Sequence, residues 1–253
     1  MRIVSLAPSN TEILYRLGAG NFIVAVTRYC DFPEEAREKP KVGGWIDVND
    51  ELVEDFHPDL VLASTFLQNG IIEREKKKGI NILSVLPTTL EEVFESFVRI
   101  GQLVEKEKEA RELADSIKKE IAGIMKKTDS EIKPRVYIEE WHKPPMVSGN
   151  WVPDIVEMAG GEYGLIKSGE PSREISTEEI KNYDPEIIII SICGMGDKIP
   201  KEIVTKREGW EDLSAVKNGK VFVFDDSLLN RPGPRLLEGF RKIAEILHPE
   251  LAG

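Results

Sequence analysis

The sequence predicts an α/β protein of two similar lobes, each built on a mainly parallel sheet, with one long helix joining them and a ligand cleft between them. The first observation is the stretch from Glu105 to Lys127, whose apolar residues recur at steps of three and four with charges between them. This spacing is typical of one amphipathic helix, roughly 35 Å long at 1.5 Å per residue. The second observation is an alternation of short apolar runs with helical segments on either side of it. The third is an internal repeat.

The repeat is clearest where a helix leads into a buried strand. Residues 51–64 read ELVEDFHPDLVLAS and residues 178–191 read EEIKNYDPEIIIIS. Each has a helix ending at an aromatic residue, a proline followed by an acid, and an apolar strand closing on serine. Weaker matches flank both copies in the same order, among them Arg2 with Arg135. The order predicts a duplicated lobe, and two copies are too few for a solenoid.

In the first lobe, strands and helices are predicted to alternate. A helix capped by Ser9 or Asn10 is expected to run to Leu17 and to end at Gly18. The other predicted elements are a strand from Ile23 to Thr27, a helix from Asn49 to Phe56, a strand from Leu60 to Ala63, a helix near Ile71 to Lys78 and a strand from Ile80 to Val85. A helix from Leu90 to about Val104, with Gly101 as a kink point, leads into the long helix.

The second lobe is predicted to begin with a strand from Arg135 to Glu139 and a loop over residues 140–151. A helix from Pro153 to Ala159 has proline in its first turn, where a missing N–H is tolerated. Ser176 and Glu179 form a capping box for the next helix. Strands from Ile187 to Ile192 and from Val221 to Phe224 precede a final helix ending at Leu247. The predicted domain boundaries are 1–88, 89–128 for the linking segment, and 129–253.

Composition limits the partners. The chain of 253 residues is 41% hydrophobic, which suits two lobes with proper cores. A net charge of −11 argues against nucleic acid or an anionic membrane as partner. No apolar run reaches the length of a membrane span, and we expect a monomer. No signal peptide is recognised, so the sequence as written predicts a cytoplasmic protein, or an extracytoplasmic one if Met1 replaces a removed leader.

Ligands of open parallel sheets bind beyond the carboxyl ends of the strands. Reading which residues follow strands gives the candidate ligand-binding residues Pro8, Tyr29, Cys30, Phe66, Trp141, Trp151, Cys193 and Arg231. Trp45 joins them if its glycine-flanked loop bends back over the same edge. Tryptophans in polar loops favour a flat, partly apolar ligand; the alternative is that each indole fills the edge of its own lobe.

No catalytic or metal-binding set is apparent. The histidines His57, His142 and His248 lack metal-ligand spacing, and no HExxH, GxSxG, CxxC or P-loop motif occurs. This favours binding over turnover, with no prosthetic group. Two hypotheses remain for Cys30 and Cys193: thiols at the cleft edge, one of them near a cobalt or iron axial position, or small packing residues at strand ends.

Several segments carry a family resemblance. The runs IVSLAPSNTE at 3–12, YCDFP at 29–33 and GGW at 43–45, with the repeated Pro-acid strands, resemble the ABC-transporter solute-binding proteins for cobalamin and ferric siderophores, and most of all the cobalamin receptors. By this resemblance, Tyr29 matches a tyrosine that stacks on the ligand, Trp45 a cleft tryptophan, and Arg231 an arginine near the last helix. The lobe-two aromatics do not match cleanly, because Glu140 or Trp141 stands where a phenylalanine is expected.

The resemblance implies a non-enzymatic receptor that binds a corrinoid, cobalamin or cobinamide, and delivers it to an ABC permease. Glu51 and Glu178 match the glutamates with which the family docks on its permease; the alternative is that each only complements its helix dipole. Alternative ligands are a ferric siderophore or haem. The alternative function is a cytoplasmic protein or enzyme that handles corrinoids or metal tetrapyrroles.

Overall fold

Two mainly parallel sheets with helices around them make up the protein in a computed structural model, which describes residues 1–64, 68–128 and 133–251. The predicted α/β class is confirmed. The chain divides into two units: the first unit comprises Met1–Pro87 with Phe94–Ser116, and the second unit comprises Thr88–Val93 with Ile117–Gly253.

The first unit contains a four-stranded parallel sheet in the order β2-β1-β3-β4. Its core is continuous and apolar, with Val4, Leu6 and Val61 fully buried, as expected for parallel strands covered on both faces. The strands are β1 (Ile3–Ser5), β2 (Ile23–Val26), β3 (Leu60–Ala63) and β4 (Ile82–Ser84). The helices in chain order from the N-terminus are α1 (Pro8–Arg16), α2 (Glu34–Arg37), α3 (Asp50–Asp55), α4 (Asn69–Lys77), α5 (Leu90–Leu103) and α6 (Glu107–Met125), and both α5 and α6 have residues in each unit.

The second unit contains a five-stranded mixed sheet in the order β7-β6-β5-β8-β9. Its strands are β5 (Val136–His142), β6 (Pro145–Val147), β7 (Arg173–Glu174), β8 (Ile187–Ile190) and β9 (Val221–Val223). Its helices are α7 (Val152–Met158), α8 (Thr177–Tyr183), α9 (Glu202–Thr205), α10 (Ser214–Lys217) and α11 (Leu236–Leu247).

The predicted loop over residues 140–151 is wrong in its first half. Strand β5 continues to His142 and pairs antiparallel with β6, with Trp141 opposite Met146 and His142 opposite Pro145. Two consecutive prolines are typical of a loop, because proline cannot donate to a ladder, and they concealed the hairpin. Because of this pairing, Trp141 lies within strand β5 and not in a loop.

Helices α5 and α6 are separate: Gly101, where the sequence predicted a kink, lies in the last turn of α5, and Val104 and Glu105 form the turn that follows it. Glu105 has a φ of 58°, and the N–H of Lys106 donates to the Gly101 carbonyl over 2.7 Å. A Cβ on Gly101 would lie 2.6 Å from the Ala110 Cβ, so glycine permits the close approach of the two helices there. With 19 residues, α6 is about 28 Å long, shorter than predicted.

The same backbone conformation ends the helix of each repeat. His57 follows α3 and Asp184 follows α8, and both are left-handed, with φ of 44° and 45°. The strands that follow pair in the same way, Leu60 with Ile3 and Ile187 with Val136.

Equivalent arginines make the same pair of hydrogen bonds in the two units. In the first, the Arg2 backbone N–H donates to the Asp59 carboxylate and its Nε to the Phe56 carbonyl, over 2.7 and 2.8 Å. In the second, Arg135 makes the equivalent bonds, over 3.1 Å to the Glu186 carboxylate and 2.9 Å to the Tyr183 carbonyl. These shared contacts support the duplication inferred from the sequence.

None of the helices in the described ranges is both long and apolar enough to cross a membrane.

Candidate ligand-binding site

Two exposed aromatic rings meet at the carboxyl end of the first sheet. Tyr29 is 44% exposed and Trp45 is 40% exposed, and their ring centroids lie 6.1 Å apart at an interplanar angle of 49°. Large apolar side chains of this kind are normally buried, so a neighbouring exposed pair is a candidate contact surface for an apolar ligand. The loop that carries Trp45 does bend back, as the sequence analysis required.

Backbone hydrogen bonds fix this loop against the strand that precedes Tyr29. The Val42 N–H donates to the Val26 carbonyl over 3.0 Å, and the Arg28 N–H donates to the Gly43 carbonyl over 2.8 Å. The Asn49 N–H closes the loop by donating to the Val42 carbonyl over 2.8 Å.

The glycines of this loop are needed for its shape. Gly43 has a φ of +123°, and a Cβ there would lie 2.3 Å from the Asp47 carbonyl oxygen. At Gly44, a Cβ would lie 2.3 Å from the Asp47 carboxylate, which forms an ion pair with Arg28 over 2.5 Å. The Gly43-Gly44 pair therefore serves loop closure, which holds Trp45 beside Tyr29.

Cys30 is not at an exposed edge, and the structure contradicts that expectation. The side chain is 1% exposed, and its sulfur lies 3.2 Å from the Thr11 hydroxyl and 3.3 Å from the Thr27 hydroxyl. Burial raises the pKa of the Cys30 thiol, although its hydrogen bonds with the two threonines act in the opposite direction. The neutral thiol is therefore favoured, and it packs inside the unit against Thr11 of α1 and Thr27.

Pro8 is also buried, as the first residue of α1. The predicted cap from Ser9 or Asn10 is wrong, because the helix begins before them and the Asn10 amide donates to the Ala63 carbonyl over 3.1 Å. A direct ligand contact from Pro8 is not supported by this burial. Phe66 lies outside the described residues.

In the second unit, Trp141 is the exposed indole. It is 41% exposed on β5, its Nε1 donates to the Lys143 carbonyl over 3.1 Å, and its ring lies 5.8 Å from that of His142. The hydrogen bond holds the ring without covering it.

Trp151 is buried, contrary to its assignment as an exposed ligand contact. Only 8% of it is exposed, and its Nε1 donates to the Leu229 carbonyl over 2.8 Å. This agrees with the alternative that the indole fills the edge of its own lobe, since a buried indole N–H needs such an acceptor.

Cys193 is a poor candidate for metal ligation. The Asn230 amide donates to its sulfur over 3.1 Å, and a Glu140 carboxylate oxygen lies 3.9 Å away. Burial, and then the negative charges of Glu140 and Asp226, raise the pKa of the Cys193 thiol. Metals bind the thiolate, which these surroundings disfavour.

Arg231 is half-buried near Asp225. Burial alone would raise the pKa of the Asp225 carboxyl. Hydrogen bonds from Ser227 and the charges of Arg235 and Arg231 outweigh burial and hold this pKa below its usual value. Arg231 thus has an electrostatic role within its own unit.

Sequence reasoning missed a polar pocket in the second unit. Its lining is Glu140, Ser148, Gly149, Asn150, Trp151, Val152, Leu229 and Asn230. Its members come from three separate segments of the chain. The sequence signals were the candidate Trp151 and the position of Glu140 just after a predicted strand.

The two candidate docking glutamates occupy the same position in their helices. Glu51 is the second residue of α3 and Glu178 the second residue of α8, and both are exposed. The preceding caps are also alike: Asn49 accepts from the Leu52 N–H and Ser176 from the Glu179 N–H.

Comparison with known proteins assigns this arrangement to a family. The family described as periplasmic binding protein matches residues 3–228. The chain belongs to the periplasmic binding protein family. The resemblance inferred from the sequence is confirmed.

Two curated relatives cover nearly the whole chain of this periplasmic binding protein. An uncharacterised ABC transporter substrate-binding lipoprotein of Bacillus subtilis is 33% identical over 98% of this chain and 80% of its own length. A vitamin B12-binding protein of Vibrio parahaemolyticus is 28% identical over 96% of this chain and 88% of its own length.

Solved structures have the same fold and differing ligands. A possible iron-binding, periplasmic solute-binding protein of Staphylococcus epidermidis has a TM-score of 0.82 at 31% identity, with 98% of both chains covered. The vitamin B12-binding protein of Vibrio cholerae has a TM-score of 0.81 at 25% identity, covering 100% of this chain and 98% of that one. A haem-binding protein of Roseiflexus, with a TM-score of 0.85 at 20% identity over 98% of both chains, shares the fold alone.

The family corrects the predicted location. The sequence as written predicted a cytoplasmic protein, but the matched family is periplasmic and the Bacillus relative is a lipoprotein of an ABC transporter, which point to a location outside the cytoplasm. The mistake came from treating the first residue as informative. Proteins of this family bind solutes for ABC transporters, so the cytoplasmic corrinoid-handling alternative is not favoured.

Proposed function

We propose that this periplasmic binding protein binds a corrinoid, cobalamin or cobinamide, and delivers it to an ABC permease for uptake. The observation that carries the proposal is the exposed Tyr29–Trp45 pair, with centroids 6.1 Å apart. Relatives from Vibrio, one 28% identical over 96% of this chain, are named vitamin B12-binding proteins. A corrin is broad and partly apolar, so two tilted rings at the end of a sheet offer it a contact surface of the right kind.

Burial removes some of the candidate ligand-binding residues. Trp141 and Arg231 stay in the proposed ligand-binding set together with Tyr29 and Trp45. Pro8 and Cys30 leave it, because burial inside their own unit keeps them from the ligand. Trp151 leaves it as an exposed aromatic contact and is only part of the lining of the polar pocket. Cys193 leaves the set as a metal ligand, since burial and the neighbouring carboxylates favour its neutral thiol.

Glu51 and Glu178 are proposed to dock on basic residues of the permease. Their equivalent places on α3 and α8, their exposure and their matching caps support this role. No ion pair engages either carboxylate among the described residues, so both are available to a partner.

A second ligand class is favoured by one comparison. The Staphylococcus structure, 31% identical, is described as a possible iron-binding protein. A ferric chelate or haem is therefore the alternative ligand for the same aromatic pair.

A direct titration decides between these ligands. The purified protein is titrated with cobinamide, cobalamin, haem and a ferric siderophore, and binding is followed by calorimetry and visible absorption. We expect saturable 1:1 binding of a corrinoid. Binding of haem or the ferric siderophore alone would overturn the corrinoid assignment.

A further inference from the structure

The polar pocket of the second unit has the size of one small chemical group. It lies where Glu140 leaves the region of β5 paired with β8, and its volume is about 40 Å³. A cavity needs roughly 10–15 Å³ by this measure to hold one water, so the pocket has room for a small polar group such as an amide or a carboxyl. The chemical group that the pocket prefers depends on the polar atoms that line it.

Glu140 presents one carboxylate oxygen without a strong donor. Its Oε2 accepts from the hydroxyls of Ser148 and Ser172, over 2.9 and 2.5 Å. Its Oε1 is 3.9 Å from the Cys193 sulfur, and a thiol is a weak donor. This oxygen can still accept a strong hydrogen bond.

Asn230 also lines the pocket, and its hydrogen bonds position it beside Cys193. Its Nδ2 donates to the Ser191 carbonyl over 2.8 Å and to the Cys193 sulfur over 3.1 Å, and these bonds set which end of the amide is nitrogen. Its Oδ1 is buried and accepts no hydrogen bond from the described residues. Because this oxygen is enclosed by protein, the acceptor that the pocket offers to a ligand is the Glu140 carboxylate.

We propose that this pocket binds a neutral hydrogen-bond donor carried by the ligand, a primary carboxamide, and rejects a carboxylate. A carboxamide N–H₂ can donate to the Glu140 carboxylate, whereas a carboxylate has no donor and is repelled by it. Asn150, which also lines the pocket, offers a donor and an acceptor and suits either group. The inference rests on the proposed function and refines it: corrins carry peripheral carboxamides, and haem carries carboxylates.

The test compares ligands that share a macrocycle and differ in these groups. Calorimetric affinities of the wild-type protein are measured for cobinamide, with carboxamides, and cobyrinic acid, with carboxylates. We expect cobinamide to bind at least about tenfold more tightly. Equal affinities, or tighter binding of the acid, would overturn the pocket assignment while the corrinoid function stands.

A variant links this preference to Glu140. Glu140→Gln keeps the shape of the side chain, removes its charge and adds a donor, so the preference for the amide should fall to about threefold or less. Glu174→Gln removes the same charge from an exposed site of the same unit, and should leave the preference unchanged. A thermal melt checks that both variants are folded. An unchanged preference in folded Glu140→Gln would contradict the inference.

If no corrinoid binds, a comparison of an amide with a carboxylate form of haem separates the pocket assignment from the corrinoid assignment. Haem and its bis-amide derivative are then titrated in the same way. Tighter binding of the bis-amide would support the pocket and overturn only the corrinoid assignment. No binding of any macrocycle would overturn both.

Discussion

The phenol ring of Tyr29 and the indole ring of Trp45 lie 6.1 Å apart, centroid to centroid, and both are exposed on the first unit. Replacing both residues by alanine should weaken corrinoid binding by roughly 2 kcal/mol or more, the size expected for aromatic anchors. Calorimetry measures the change, and quenching of tryptophan fluorescence by the corrinoid should diminish with it.

Leu52→Ala is the control, since it removes an exposed apolar side chain of the same unit that is not part of the ring pair. Its affinity should match the wild type. Unchanged affinity in the double variant would remove the aromatic pair from the ligand site.

Gly43→Ala should destabilise the loop that carries Trp45. Its φ of +123° and a Cβ only 2.3 Å from the Asp47 carbonyl oxygen leave no strain-free conformation. We expect a loss of about 1–3 kcal/mol in the free energy of unfolding, with weaker corrinoid binding. Gly79→Ala is the matched control: φ is +84° but nothing lies within 4 Å, so its loss should be smaller and binding unaltered. A Gly43→Ala protein of wild-type stability would refute the loop-closure role.

Reversing Glu51 and Glu178 to lysine together should abolish corrinoid uptake in cells and leave affinity unchanged. The reason is that lysines would repel the basic permease residues proposed to receive these carboxylates. Uptake of labelled cobalamin and calorimetry provide the two measurements. The paired control Glu95→Lys with Glu157→Lys makes the same charge change at exposed helical sites and should transport normally. Full uptake by the first pair would reduce these glutamates to helix-dipole partners.

Glu139 and Arg207 form a buried bidentate ion pair, with both nitrogen–oxygen distances at 2.6 Å and Glu139 fully inaccessible. Arg207→Met should cost roughly 3–5 kcal/mol of unfolding free energy, because it strands a buried carboxylate. Adding Glu139→Met should recover much of this loss. Urea denaturation gives both values.

An exposed bidentate pair serves as reference for this prediction. Arg173 also binds a carboxylate twice, that of Glu179, but in contact with solvent. Arg173→Met should therefore cost no more than about 1 kcal/mol. Equal losses for Arg207→Met and Arg173→Met would show that burial adds nothing to the pair.

Alkaline pH should destabilise the protein through Tyr183. Burial, as the largest cause, raises the pKa of this phenol to about 12, while an unfolded tyrosine has a pKa near 10. The folded state thus retains a proton that the unfolded state loses, so the stabilisation is complete below pH 10 and disappears between pH 10 and 12. Over that range, wild type should lose roughly 1–3 kcal/mol more unfolding free energy than Tyr183→Phe. Parallel pH profiles for the two proteins would rule this out.

The sequence by itself determined the α/β class, the duplication and much of the element order, but not the β5–β6 hairpin, because helix periodicity, apolar runs and capping residues are local signals. His57 and Asp184, which are both left-handed, occupy equivalent positions of the sequence repeat. It also determined the family, since short motifs around Tyr29 and Trp45 are contiguous. Tertiary structure decided what each candidate can touch: all four of Tyr29, Cys30, Trp141 and Trp151 were predicted to follow strands, yet Cys30 and Trp151 are buried and Tyr29 and Trp141 are exposed. Exposure depends on which face a turn presents after folding, and the Glu140–Asn230 pocket depends on segments that only the fold brings together.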